Sequence, residues 1–298
     1  MHKPLFPLSI LLIVFSLIIS GCGASPALST QPVVTTSISP LADIIRQVAG
    51  DKVEVVNLVP AGSDPHEYEP RPEDVRHLAE SKLFFANGVG EELYLEKLIS
   101  NAGNKELTTI VLSDGLTILG REQNSVGNPH LWLDVNNTIA YVEKIQSALS
   151  AAFPADTQYF EQNSAHYLQE LKDLDAWIKS QISSIPPEHR KIVVFHDAWA
   201  YFAKRYDLTL VEPLLHSGTA EPSAQDLAKM LTFIKEQHVR AVFSEAGFNP
   251  KLVQQLAHDT GIKFAQDLYD DTLGNTPETN SYIGMMKKNT SKMVEVLR

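Results

Sequence analysis

The sequence predicts an α/β fold of two lobes, each with a roughly four-stranded parallel sheet flanked by helices, bridged by one long rigid helix. Three observations predict it. Short apolar runs alternate with amphipathic stretches, the pattern of strand–helix–strand units whose sheets are covered on both faces. The runs fall into two sets of four. Between the sets lies one helical stretch far longer than a crossover needs.

The first set is PVVTTSI (32–38), VEVVNLV (53–59), KLFFAN (82–87) and TTIVLSD (108–114). The second is KIVVFHD (191–197), LTLVEPL (208–214), AVFSEA (241–246) and IKFAQDL (262–268). Most are β-branched and apolar on successive residues, as buried parallel strands are. SPLADIIRQVAG and PSAQDLAKMLTFIKEQ carry helical periodicity and open with Ser-Pro or Pro-Ser, both helix starts. In the central stretch Pro154 opens a helix and Pro186-Pro187 must follow its end. Tyr167, Leu171, Leu174 and Ile178 step by four, three and four along one face. At 1.5 Å per residue, about 28 residues give a strut of roughly 40 Å. The expected organisation is an N-terminal lobe over 32–153, a bridging helix over 154–184 and a C-terminal lobe over 185–298.

The first residues read as a secretory leader over 1–21. A short basic start precedes an apolar run from Leu5 to Ile19, too short for a comfortable membrane span. Small residues then lead to Cys22, the only cysteine of the 298 residues. A small-residue cleavage site set against a sole cysteine reads as a lipobox, with Cys22 lipidated and a flexible tether over 22–31. This places the folded part outside the cell membrane, anchored by lipid in the periplasm or on the outer surface. One cysteine excludes an intrachain disulfide framework or a thiolate zinc site. The net charge of −11 argues against nucleic-acid binding. The chain lacks a GxxxxGK[ST] phosphate loop, so any ATPase it serves must be another chain.

Ten histidines are present. His77, His166, His189, His238 and His258 sit among polar neighbours or near element ends and read as surface residues. His216, in EPLLHSGTAEPS, is open to a place near a cleft. His66, His130 and His196 differ: each lies just beyond a strand or at its end, where open α/β sheets bind ligands. Pro65 and Pro129 stiffen the loops before two of them. Asp270 and Asp271 follow the last strand and add a carboxylate. The spacing excludes a local chelate, and three unrelated loop histidines are the bland alternative.

DPHEYEPRPEDVRHLAES, NPHLWLD, VVFHDAWAYFAKRYDL, EPSAQDLAKM and LYDDTLG, in this order behind a lipobox, resemble the metal-binding lipoproteins of bacterial zinc and manganese ABC importers, the cluster A-I solute-binding proteins. The resemblance spans nearly the whole chain after Cys22. It implies two α/β lobes joined by a long helix, and one metal between them held by His66, His130, His196 and Asp271. The usual Asp-Ser-Leu-Gly of the last motif is Asp271-Thr272-Leu273-Gly274 here, and Asp270 is a rival for the carboxylate. Strand alternation sends the two aspartates in opposite directions, so one ligates. Glu67, Asp134, Asp197 and Glu245 are candidate acceptors for the rings' other nitrogens.

The resemblance implies a non-enzymatic, monomeric capture protein that delivers a divalent metal to a membrane permease, with a separate ATPase chain. Three imidazoles and one carboxylate suit Zn2+, and His196 stands where manganese importers of this family often carry a carboxylate. Mn2+ is the alternative cargo, since relatives of mixed specificity also have three histidines, and the loop before His130 lacks the histidine-rich insertion of many zinc importers. The rival functions are a secreted zinc-dependent hydrolase, which needs an open coordination position and a general base, and a surface adhesin, a cell-adhesion role associated with some family members.

Overall fold

The computed structural model describes residues 31–92, 95–120, 125–211, 224–247 and 249–298. The leader, Cys22, most of the tether and His216 lie outside the described residues.

The N-terminal half runs β1 (Val33–Thr36), α1 (Ser39–Ala49), β2 (Glu54–Asn57), α2 (Pro72–Glu80), β3 (Ser81–Ala86), α3 (Leu95–Ala102), β4 (Thr108–Val111) and α4 (Val135–Ala152). Its four strands form one parallel sheet in the order β2-β1-β3-β4. The inner strands read as sequence because β3 is buried at Leu83, Phe84, Phe85 and Ala86, and a strand buried on both faces needs no polar alternation.

Next come the long helix α5 (Thr157–Ser183), β5 (Lys191–Ile192), α6 (Ala200–Tyr206), β6 (Thr209–Leu210), α7 (Ala224–Glu236), β7 (Ala241–Glu245), α8 (Lys251–Thr260), β8 (Lys263–Leu268) and α9 (Tyr282–Leu297). Here β5 pairs parallel with β6, and β7 with β8. A parallel bridge from Val193 to Val242, with Phe243 N–H donating to the Val193 carbonyl at 3.0 Å, joins the pairs in the order β6-β5-β7-β8. In the run 191–197, β5 covers Lys191 and Ile192, with single bridges at Val193 and His196; the run 208–214 is described only as far as Val211, and there β6 covers Thr209 and Leu210. The His196 N–H is taken by the Glu245 side chain at 3.2 Å.

Helix α5 has 27 residues, and Pro154 opens a 3-10 turn ahead of it rather than the α-helix itself. Phe160, Tyr167, Leu171, Leu174, Ile178 and Ile182 are buried along one stripe. That stripe packs on α1 and α4 from the first half and on α6 and α9 from the second. One hydrophobic cluster therefore runs from Val34 to Leu297 through α5. Asp175 on α5 adds a polar clamp: Arg205 donates Nε at 3.0 Å and Nη2 at 2.8 Å to its two oxygens, and Tyr206 Oη donates at 3.1 Å. No helix among the described residues is long and apolar enough to cross a membrane.

Replacing Leu171 with alanine should cost about 2–5 kcal/mol, since the side chain is fully buried between the two halves. Lys172→Ala, one residue on and exposed, should change stability by less than about 0.5 kcal/mol. Urea unfolding measures both. A single cooperative transition shifted as a whole is expected, because the two sheets share one core.

Candidate metal centre

Every chemical group of the site ends a strand or comes from the chain that follows one. His66 follows β2, His130 follows β4, His196 follows β5, Glu245 ends β7, and Asp271 follows β8.

The backbone of each loop is tied down close to its functional side chain. Leu58 and Val59 N–H continue the β1 pairing by donating to Thr36 and Ser37. His66 N–H then donates to Asp64 Oδ1 at 2.8 Å. The loop ends where Pro72 starts α2 and Asp74 accepts from Arg71 N–H and from Tyr68 Oη. The His130 loop is held by Asn87 Nδ2, which donates to the Pro129 carbonyl at 2.8 Å. The Asp271 loop is bracketed by Asn289 of α9, whose side chain bonds both the N–H and the carbonyl of Tyr269. Ser39 Oγ accepts from Leu273 N–H at 2.8 Å, and Thr272 Oγ1 accepts from Gly62 N–H at 2.6 Å. The Asp271 loop is thereby fastened to the His66 loop. Trp132 Nε1 donates to the Asp270 carbonyl at 2.8 Å and fastens it to the His130 loop.

These ties bring His66, His130, His196 and Asp271 together, with one donor atom from each within 4.8 Å of the others. His130 Nε2 lies 3.2 Å from Asp271 Oδ1, while His66 Nε2 and His196 Nε2 lie 3.3 and 3.6 Å from Oδ2. The Nε2 atoms of His130 and His196 are 3.2 Å apart. The three rings stand edge-on to one another, with centroids 5.1–5.7 Å apart. The nitrogens approach Asp271 closely without the alignment of hydrogen bonds, and both of its buried oxygens lack a hydrogen-bond partner. Three imidazole nitrogens converging on a carboxylate whose two oxygens stay unpartnered are a donor set suited to a divalent cation.

The rings' far sides fix their tautomers. His130 Nδ1 lies 2.9 Å from Asn128 Oδ1, and Asn128 Nδ2 donates to the Asp197 carbonyl. Since Oδ1 only accepts, Nδ1 carries the hydrogen and Nε2 turns its lone pair inward. His196 Nδ1 lies 2.6 Å from Glu245 Oε2, and Trp199 Nε1 holds the other Glu245 oxygen at 3.0 Å. Among the expected acceptors, then, Glu245 stands behind a ring. Glu67 is exposed on the surface. Asp134 caps α4 by accepting from Asn136 N–H and pairs with Arg205 at 3.4 Å. Asp197 meets the site through its backbone. Asn128, an amide, fills the place expected of an acid. Asp270 lies on the outer side of His196, 3.7 Å from Nδ1, and its Oδ1 accepts from Asp271 N–H.

Sequence reasoning also missed Glu91. It lies beyond β3, after a turn in which Gly88, Val89 and Gly90 all have positive φ (86°, 57° and 82°). A Cβ at Gly88 would meet Ser113 Oγ and Val111 Cγ1 at 2.6 Å, so the turn needs glycine there. Glu92 anchors it by accepting from Asn87 N–H, Gly88 N–H and Ser37 Oγ. Glu91 is 4% exposed and neither of its oxygens has a partner. The readable signal was Asn-Gly-Val-Gly-Glu-Glu directly after a strand.

Burial and mutual charge shift these groups. Desolvation opposes the charge on His66, but Asp271 at 3.3 Å and the Glu91 charge hold it up to about 9. Desolvation pushes His130 down to about 4. For His196, Glu245 outweighs desolvation and holds it well above the usual imidazole range. Desolvation alone would raise Asp271, yet the surrounding imidazoles hold it well below the carboxylate range. Desolvation pushes Glu91 up to about 8.

The class of protein is thus a two-sheet α/β fold presenting a buried three-imidazole, one-carboxylate cage at its strand ends. Residues 34–296 match the family described as ZnuA, zinc-uptake complex component A, periplasmic, and the chain belongs to it. It is 32% identical over 294 residues to the manganese-binding lipoprotein MntA of Halalkalibacterium halodurans, covering 97% of each chain. It is 32% identical over 295 residues to the manganese ABC transporter substrate-binding lipoprotein PsaA of Streptococcus pneumoniae, covering 96% of this chain and 95% of that one. The periplasmic zinc-binding protein TroA of Treponema pallidum superposes with a TM-score of 0.83 at 28% identity, over 90% of this chain and 99% of that one. These relatives are solute-binding proteins, not enzymes.

The metal-free chain should lose stability as pH rises from about 6.5 to about 9. His66 is raised from an unfolded value of about 6.5 to about 9, so its contribution is complete below 6.5 and lost through 9. Glu91, raised to about 8, acts in the same direction, because the unfolded carboxylate ionises first. Melting curves across this window should fall for metal-free protein; a flat or rising melting temperature would contradict the charge arrangement.

Proposed function

We propose that this chain is the extracytoplasmic capture component of an ABC importer for a divalent transition metal, which it binds through His66, His130, His196 and Asp271. The observation that carries the reading is the convergence of three Nε2 atoms on two unpartnered carboxylate oxygens in a buried pocket. In this reading the lobes are 32–153 and 185–298, with 154–184 as the bridge. Lipid on Cys22 holds the chain at the membrane, where a permease takes the ion and a separate ATPase chain drives transport.

Zinc is the cargo that the donor count favours. Three nitrogens and one oxygen complete a tetrahedron and leave no position for a reacting water, which also counts against a hydrolase. Manganese is the second reading, and two observations favour it. The relatives MntA and PsaA are named for manganese. Both Asp271 oxygens face imidazole nitrogens, so the carboxylate offers a second oxygen to an ion of higher coordination number.

Alanine at His66, His130, His196 or Asp271 should each weaken metal binding by orders of magnitude in competition titrations. His166→Ala and His258→Ala, both exposed, should not. Bound metal should add about 4 kcal/mol of stability at a thousandfold excess over Kd, lost on chelation. A strain lacking the chain should need added zinc to grow. Rescue by manganese and not by zinc would assign manganese instead.

A further inference from the structure

Glu91 has no counterpart among the four donors, and its surroundings do not explain it. A buried carboxylate is costly unless something compensates it, and this one has neither a hydrogen bond nor a cationic side chain in an ion pair among the described residues. Its neighbour Glu92 shows what a satisfied carboxylate in this turn looks like, with three donors around it. After desolvation, the charges acting on Glu91 are those of His66, which favours its ionised form, of Asp271 and Glu92, which oppose it, and of His196, which favours it.

The turn that presents it is constrained, not loose. Val89, a β-branched residue, is held at φ 57°, a conformation that such residues avoid and that surrounding structure must enforce. Asn87 at the start of the turn bonds the carbonyl preceding His130 and accepts from Tyr141 Oη at 2.7 Å. The turn that carries Glu91 is thus fixed at its start to the loop of His130.

We propose that Glu91 is a specificity-determining residue: it is the second anionic donor of the site, turning onto a bound manganese ion and standing aside from zinc. This rests on the metal-capture reading above. The cage by itself supplies three nitrogens and one carboxylate, which fills tetrahedral zinc but leaves manganese short of oxygen. Two carboxylates balance the full +2 charge of the ion. Glu91 lies outside the tight cluster of four but close enough for its charge to act on His66, so the smaller coordination sphere closes without it.

The test is a pair of titrations on the full chain and on Glu91→Gln and Glu91→Leu. Free manganese is followed by its paramagnetic resonance signal, and zinc by a competing chelator. Both variants should lose at least about tenfold in manganese affinity, with zinc changed by less than about threefold. The melting temperature of each metal-free variant should rise, because an unpartnered buried carboxylate has been removed; this readout separates a lost donor from a damaged fold. X-ray absorption on the wild-type manganese complex should show one more oxygen neighbour than in Glu91→Gln. Unchanged manganese affinity, or equal losses for both metals, would overturn the role of Glu91 while leaving the capture function intact. A wild-type chain that binds neither metal would remove both.

Discussion

The structure is organised around keeping one carboxylate, that of Asp271, ionised and unsatisfied in a place with almost no water. Burying such a charge is unfavourable unless opposite charge or strong donors compensate. Here three imidazoles do so only in part, since they come near without aligning. The rest of the site makes this tolerable. Glu245 and Trp199 fix His196, Asn128 fixes His130, and the Ser39 and Thr272 hydroxyls pin the loops on either side. All of these ties but that of Asn128 to His130 cross from one loop to another, so the site is held by the sheets rather than by any single loop.

The long helix has a corresponding role at larger scale. As a bare strut it would transmit any bending between the halves. Its buried face instead joins helices of both halves into one core, and Asp175 clamps Arg205 and Tyr206 from α6, the helix that follows His196. Displacing one sheet relative to the other would have to break apolar packing and a bidentate ion pair together. Fold and site are therefore stiffened by the same element.

What was legible in the sequence follows the range of the interactions. The inner strand runs β1, β3 and β7 are visible because burial on both faces demands consecutive apolar residues, and the α5 stripe is visible because helical periodicity is local. The histidines are visible through their positions after strands and beside prolines. The partners of those histidines are less so. Asp134 is four residues from His130 yet serves as a helix cap, while Asn128, two residues away, holds the ring. Sequence proximity to a ligand says little about which atoms lie behind its ring. Glu91 is harder still, since its meaning depends on a strained turn and on the absence of any partner, and neither shows in a string of letters.

The cross-loop ties around Asp271 have one more consequence. A cage whose walls are set during folding spends little of its interaction energy on assembling itself when an ion arrives. That energy appears instead as residence time, because tight complexes differ from weak ones mainly in how slowly they let go. In the proposed capture role, the contacts that a docking surface would have to loosen for release are those of Thr272 with Gly62 and of Trp132 with Asp270, which hold the Asp271 loop to its neighbours.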